Sequence, residues 1–152
     1  MKYLAILCFI FISSCKSLTS DRDVVKIKDK KLYVKIAKTN EERARGLMGV
    51  KTMPSNQGML FIFNNKSVLN FWMKDTLIPL SIAYIDEDCV IVDIQQMQPA
   101  GKNDSNPPTY PSKKPALYAL ETNINWFRNN NISVGDIITV QSKEQKLCRP
   151  KK

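Results

Sequence analysis

Hydrophobic and polar residues alternate along much of the chain with a period of two. Leu32, Val34 and Ile36 alternate with Tyr33, Lys35 and Ala37, the pattern of a half-buried strand whose successive side chains point to opposite faces. The β-branched run 24–27 lies before it, across the polar stretch Lys28-Asp29-Lys30-Lys31, and the two predict a hairpin. Further strands are predicted at 58–63 and 68–73, joined by Asn64-Asn65-Lys66-Ser67. Others fall at 81–86 and 90–97 around the acidic turn Asp86-Glu87-Asp88, at 115–122, and at 137–141 after Gly135-Asp136. Two stretches break the alternation. Thr39 and Glu42 have the spacing of a capping box and predict a short helix over 40–45 that ends at Gly46. Ile124 and Phe127, three apart, predict another within 123–131. Residues 99–114 carry Pro99, Pro107, Pro108 and Pro111 and predict a long exposed loop. Many short strands with two small helices predict a mainly β fold: an antiparallel β-sandwich or barrel domain.

The pattern at the N-terminus is of another kind. Lys2 precedes an almost unbroken apolar run over 3–12, too short for a membrane-spanning helix, and the run ends in Ile12-Ser13-Ser14-Cys15. An aliphatic residue, two small residues and a cysteine form the lipobox, in which the cysteine thiol takes diacylglycerol. The expectation is a signal peptide over 1–14, lipid attachment at Cys15 and a polar tether over 15–23. A β domain over 24–141 and a basic C-terminal tail over 142–152 follow. The rival is an ordinary secretory signal in which Cys15 is incidental. The lipobox reading places the protein in the bacterial cell envelope, exported and held at a membrane by acyl chains that each contribute about 0.8 kcal/mol per buried CH2.

Composition narrows the chemistry. At 152 residues the chain suits one domain with a core of its own. Histidine is absent, which removes Ser-His-Asp and Cys-His nucleophiles, His-ligated metals and histidine pH switches. The formal charge of +9 is spread along the chain with no basic patch interleaved with aromatics, so nucleic acid is not an expected partner. The lysine-rich tail is either solvated or laid against anionic headgroups. Of four cysteines, Cys8 leaves with the signal and Cys15 takes lipid. Cys89 and Cys148 remain, and they can pair only if their Cα atoms come within about 7 Å, which sequence leaves open.

Several blocks then fall in a recognisable order: Glu42-Arg43-Ala44-Arg45-Gly46-Leu47-Met48, Gly58-Met59-Leu60-Phe61 and Phe71-Trp72-Met73-Lys74-Asp75-Thr76-Leu77-Ile78-Pro79-Leu80. Pro108-Thr109-Tyr110-Pro111-Ser112, Tyr118-Ala119-Leu120-Glu121 and Val134-Gly135-Asp136 follow. In this the chain resembles the domain-of-unknown-function 192 family (the UPF0127 proteins) over roughly 32–140. The resemblance implies a compact jelly-roll-type β-sandwich, often exported, without an established activity. Against the family pattern, Asp75 stands for Asn, Ser81 for Asp, and Ile124-Asn125 for Ala-Gly. Ala100 and Pro107 stand where many members carry a pair of loop cysteines.

The residues singled out as a ligand site are Arg43, Trp72, Lys74, Tyr110 and Glu121. Arg43 and Glu121 can form a buried ion pair or receive a ligand's carboxylate or hydroxyls. Trp72, with Phe71 and Tyr110, can stack on a sugar ring or simply fill core. Lys74, Asp75 and Thr76 offer a base, an acid and a hydroxyl, though neighbours on a strand face opposite ways. The methionines show no MxxM array for copper, and Asp86-Glu87-Asp88 lacks the ligand spacing of a calcium loop. No catalytic residue, metal or cofactor is expected. The reading that results is a lipid-anchored envelope module that binds a glycan, a peptide or an envelope protein. The alternative is a hydrolase working through two of Glu42, Glu121 and Asp136.

Overall fold

The computed structural model describes residues 23–100, 107–142 and 147–148. The signal peptide, Cys15, the tether up to residue 22, loop residues 101–106 and most of the basic tail lie outside the described residues. Nine strands and two helices follow in the order β1 Asp23–Ile27, β2 Lys30–Ala37, α1 Asn40–Arg45, β3 Gln57–Ser67, β4 Asn70–Trp72 and β5 Leu80–Ile85. Then come β6 Ile91–Met97, β7 Thr109–Pro111, β8 Ala116–Asn123, α2 Trp126–Asn129 and β9 Ile138–Gln141. The fold is mainly β with two short helices, as the alternation predicts. No helix among the described residues is long and apolar enough to cross a membrane.

Seven strands form one sheet in the order β6-β5-β8-β3-β2-β1-β9. All neighbours run antiparallel except β2 and β3, which are parallel, with Val34 opposite Gly58 and Ile36 opposite Leu60. The sheet curls until its first and last strands meet. Val90 bridges Ile137, Ile91 donates its N–H to the Asp136 carbonyl, and Ile138 donates to the Cys89 carbonyl at 2.9 Å. Beside this seam Cys89 and Cys148 are joined by a disulfide, Cα atoms 5.3 Å apart, both cysteines buried.

Curling divides the core in two. Residues such as Leu32, Val34, Leu60, Ala83, Ile85 and Leu120 fill the inside. One end of that interior receives Trp126 and Phe127 of α2, their rings edge to face at 5.4 Å. The outer face of β3, β5 and β8 presents Met59, Phe61, Ile82, Tyr84 and Ala119 to a second cluster. That outer face is capped by α1 with its following loop and by a two-stranded ribbon in which β4 pairs with β7, Phe71 opposite Tyr110. Leu47, Met53, Phe71, Met73 and Tyr110 pack down from this cap.

Two expectations change. Asn64-Asn65-Lys66-Ser67 is not a turn: β3 runs through it, and Ser67 still pairs with Ala116 of β8 across an irregular stretch. β4 pairs with β7, not β3, so Thr109–Pro111 of the expected loop is strand, and Ser112 is buried beside it. The Ser112 hydroxyl accepts the Leu69 N–H at 3.0 Å and donates to the Lys114 carbonyl, closing the ribbon at the end nearest β8.

Three departures from the family pattern have local physical reasons. Asp75 at φ 51° and Asn125 at φ 64° occupy the left-handed region, which Asn and Asp tolerate and glycine enters freely. Ser81 uses its hydroxyl to accept the Asn125 N–H at 2.8 Å, a task any short side-chain oxygen performs.

Candidate functional site

The α1 helix is positioned by its own sequence. Thr39 Oγ1 accepts the Glu42 N–H at 3.2 Å, and Glu42 Oε2 accepts the N–H groups of Thr39 and Lys38 at 3.0 and 2.8 Å. These donors hold the Glu42 carboxyl below its usual range, the Thr39 N–H contributing most. The helix stops at Gly46, whose φ of 46° and ψ of −129° suit glycine alone. From there the chain turns across the outer face of the sheet. Gly49 donates its N–H to the Asp75 carbonyl at 2.9 Å, joining this turn to the segment after β4.

Beneath that junction lies a cleft of about 20 Å³, lined by Arg43, Gly46, Phe61, Trp72, Lys74, Thr76 and Glu121 among others. Glu121 sits near the middle of the sheet, on β8 between Met59 of β3 and Ile82 of β5. It is 4% exposed. Among the described residues nothing donates a hydrogen bond or ion pair to its carboxyl. No side-chain oxygen that is fully enclosed lacks a partner, so the carboxyl oxygens are left facing the cleft. Burial alone drives the Glu121 carboxyl up to about 8, because a charge is costly in an apolar face with no compensating donor. At neutral pH this carboxyl is largely protonated and is a hydrogen-bond donor as well as an acceptor.

Arg43 lines the same cleft but does not pair with Glu121. Its Nη1 donates to the Ile62 carbonyl at 2.8 Å and to the Lys38 carbonyl, Nη2 donates to Asn40 Oδ1, and the guanidinium sits 5.0 Å from the Phe63 ring centroid. It ties α1 to β3 and lends the cleft positive charge rather than a free fork. Trp72 points outward from β4, 47% exposed, with Lys74 Nζ 5.4 Å from its ring centroid. The buried Thr76 hydroxyl donates to the Lys74 carbonyl at 3.2 Å, which leaves its lone pairs for a ligand.

Four of the five residues singled out in the sequence, Arg43, Trp72, Lys74 and Glu121, therefore line one cleft. Tyr110 does not. Its hydroxyl accepts the Gln98 N–H at 3.0 Å and its carbonyl accepts the Tyr84 hydroxyl, so it locks the ribbon onto the sheet. The three acids of the hydrolase reading lie apart. Glu42 caps α1, while Asp136 accepts the Ser133 N–H and pairs with Lys28 at 2.7 Å near the seam. In the sequence Thr76 reads as a hydroxyl beside Lys74 and Asp75 but is not kept among the site residues, and Gly46 reads only as the end of α1. A strained C-cap and a buried hydroxyl are visible only once the cap is folded over the sheet.

The family model of DUF192, described as an uncharacterized ACR, matches residues 23–140. Two solved structures are similar. One, from Sinorhizobium meliloti 1021, is described as a candidate transcription regulator. It is 28% identical at a TM-score of 0.67, with 78% of this chain and 92% of that chain covered. The other, from Novosphingobium aromaticivorans DSM 12444, is a protein of unknown function. It is 27% identical at a TM-score of 0.66, covering 77% and 82%. No curated protein matches the chain.

Proposed function

The chain belongs to the DUF192 family, and on that premise we propose that it is an exported, lipid-anchored envelope module that grips a ligand at the Glu121 cleft. One observation carries the binding reading: a buried carboxyl in the middle of an apolar face, without a protein donor among the described residues, opening on a cleft. Facing the cleft with no protein donor, this carboxyl is a group to which a ligand can supply a hydrogen bond that the fold does not. Glu121 is the one acid in the lining among the described residues, and general acid–base hydrolysis of a glycoside needs two. That favours binding over catalysis. The apolar run and lipobox over 1–15, and the buried Cys89–Cys148 disulfide, support export and anchoring at Cys15.

The test is a thermal-shift screen of the full chain, held in mild detergent, against oligosaccharides, short peptides and divalent metals. A ligand at about a hundred times its dissociation constant adds about 2.7 kcal/mol. A shift lost in Glu121→Met supports the reading. One that persists in Glu121→Met moves the site elsewhere, and none in any class refutes a small-ligand role. Incorporation of labelled fatty acid, lost in Cys15→Ser, tests the anchor separately.

A further inference from the structure

The size, charge and surface of the cleft narrow the chemistry of its ligand, an inference that rests on the binding reading above. The free volume of about 20 Å³ beneath the turn after α1 admits one group the size of a water. A metal ion finds no set of ligands, since no three His, Cys, Asp or Glu side chains among the described residues are grouped to hold one. An ammonium group is small enough, but Arg43, Arg45 and Lys74 all line the same cleft and repel it. A hydroxyl is neutral. It donates and accepts, so it pairs with Glu121 whether that carboxyl is protonated or not, and the Thr76 oxygen offers it a second acceptor.

The rim adds two further requirements. Trp72 exposes nearly half its surface where a folded domain usually covers an indole, which suits a flat apolar ring face. Several cations have no acidic partner among the described residues, Lys35, Lys51 and Arg128 among them, and of these unpaired cations Arg45 and Lys74 line the cleft. Uncompensated cations around a low-dielectric cleft draw in an anion. Hydroxyl, apolar ring face and anionic substituent occur together in acidic and phosphorylated sugars. We infer that the cleft takes an anionic saccharide: a ring hydroxyl enters toward Glu121, the sugar face packs on Trp72, and a carboxylate or phosphate meets Lys74 and Arg45.

Isothermal titration of the full chain in mild detergent tests this with trigalacturonate, glucose 6-phosphate, neutral maltotriose and the dipeptide Ala-Ala. At least one of the two anionic sugars is expected to bind about tenfold or more tighter than maltotriose, since charge-assisted hydrogen bonds are roughly twice as strong as neutral ones. Which of the two binds tells a carboxylate from a phosphate. Lys74→Gln with Arg45→Gln removes that preference, and Trp72→Ala weakens every sugar about tenfold or more. Glu121→Gln, still both donor and acceptor, keeps the affinity within a few-fold, while Glu121→Met loses it. Maltotriose binding as tightly as the anionic sugars, Ala-Ala binding in their place, or a preference that survives loss of both cations overturns the saccharide inference. Each of these leaves the binding reading standing if Glu121→Met still abolishes the heat. No Glu121-dependent heat with any of the four probes overturns both. Should Glu121→Met fail to fold, the surface changes at Lys74, Arg45 and Trp72 decide the matter alone.

Discussion

Glu121→Gln isolates the cost of holding an unpartnered carboxyl in the sheet. The ordinary value for this group is 4.5 and burial raises it to about 8 in the folded protein. Between those values the unfolded chain has released its proton while the folded protein still holds it. Stability therefore falls as pH rises, by about 1.4 kcal/mol per pH unit. Below 4.5 both states are protonated and the effect vanishes; above 8 both are ionised and it levels off at about 5 kcal/mol. The Gln variant does not titrate, so subtracting its stability from that of the natural protein removes the other acids. Among these, Asp29, Glu41, Glu42 and Asp136 have lowered values and act in the opposite direction at acid pH. The assay is urea unfolding of both proteins at pH 5, 7 and 9, read by tryptophan fluorescence. The natural protein is expected to lose about 4 kcal/mol relative to Glu121→Gln from pH 5 to pH 9. Parallel curves across that range would refute the reasoning, because they would mean that the carboxyl finds donors or water in solution.

Other changes test the scaffold. Replacing Cys89 and Cys148 with Ala opens a loop spanning a sequence separation of 59 and should cost about 4 kcal/mol by the chain-entropy argument; an unchanged urea midpoint would contradict it. Gly58→Ala places a Cβ 2.4 Å from the Glu121 carbonyl oxygen and 2.9 Å from Leu32 Cδ2. Because the nearer atom is backbone, β3 and β8 must separate, and a loss above about 3 kcal/mol is expected in the same unfolding assay. Thr39→Ala removes the capping box and should cost about 1 kcal/mol, visible as faster amide exchange in α1. Asp75→Val forces a β-branched residue to φ 51° and should cost about 1–2 kcal/mol, whereas Asp75→Asn should be neutral.

What the chain discloses before folding is mostly local. The β1–β2 and β5–β6 hairpins follow from alternation and adjacent turns, and α1 follows from Thr39, Glu42 and Gly46, because these signals act over a few residues. Period two says nothing about strand direction, so the parallel β2–β3 pair stays hidden. Nor does it say which distant segment completes a ribbon, which is why β7 reads as loop until Phe71 meets Tyr110. The site divides the same way. Arg43, Trp72, Lys74 and Glu121 were legible as a set through family blocks. That Arg43 is spent on carbonyls while Glu121 has no donor among the described residues depends on where α1 lands on β3. Composition cannot encode that.

The seam has a further consequence. An open sheet ends in a row of unpaired N–H and C=O groups, a template on which a second chain can add a strand. Here the residues just before β6 and β9 turn some of those groups toward each other, Val90 bridging Ile137, and the disulfide holds Cys148, beyond β9, against Cys89, just before β6. Pairing part of both rims at this seam gives some protection against amyloid-like stacking. Reduction of the disulfide would then be expected to show itself first as aggregation.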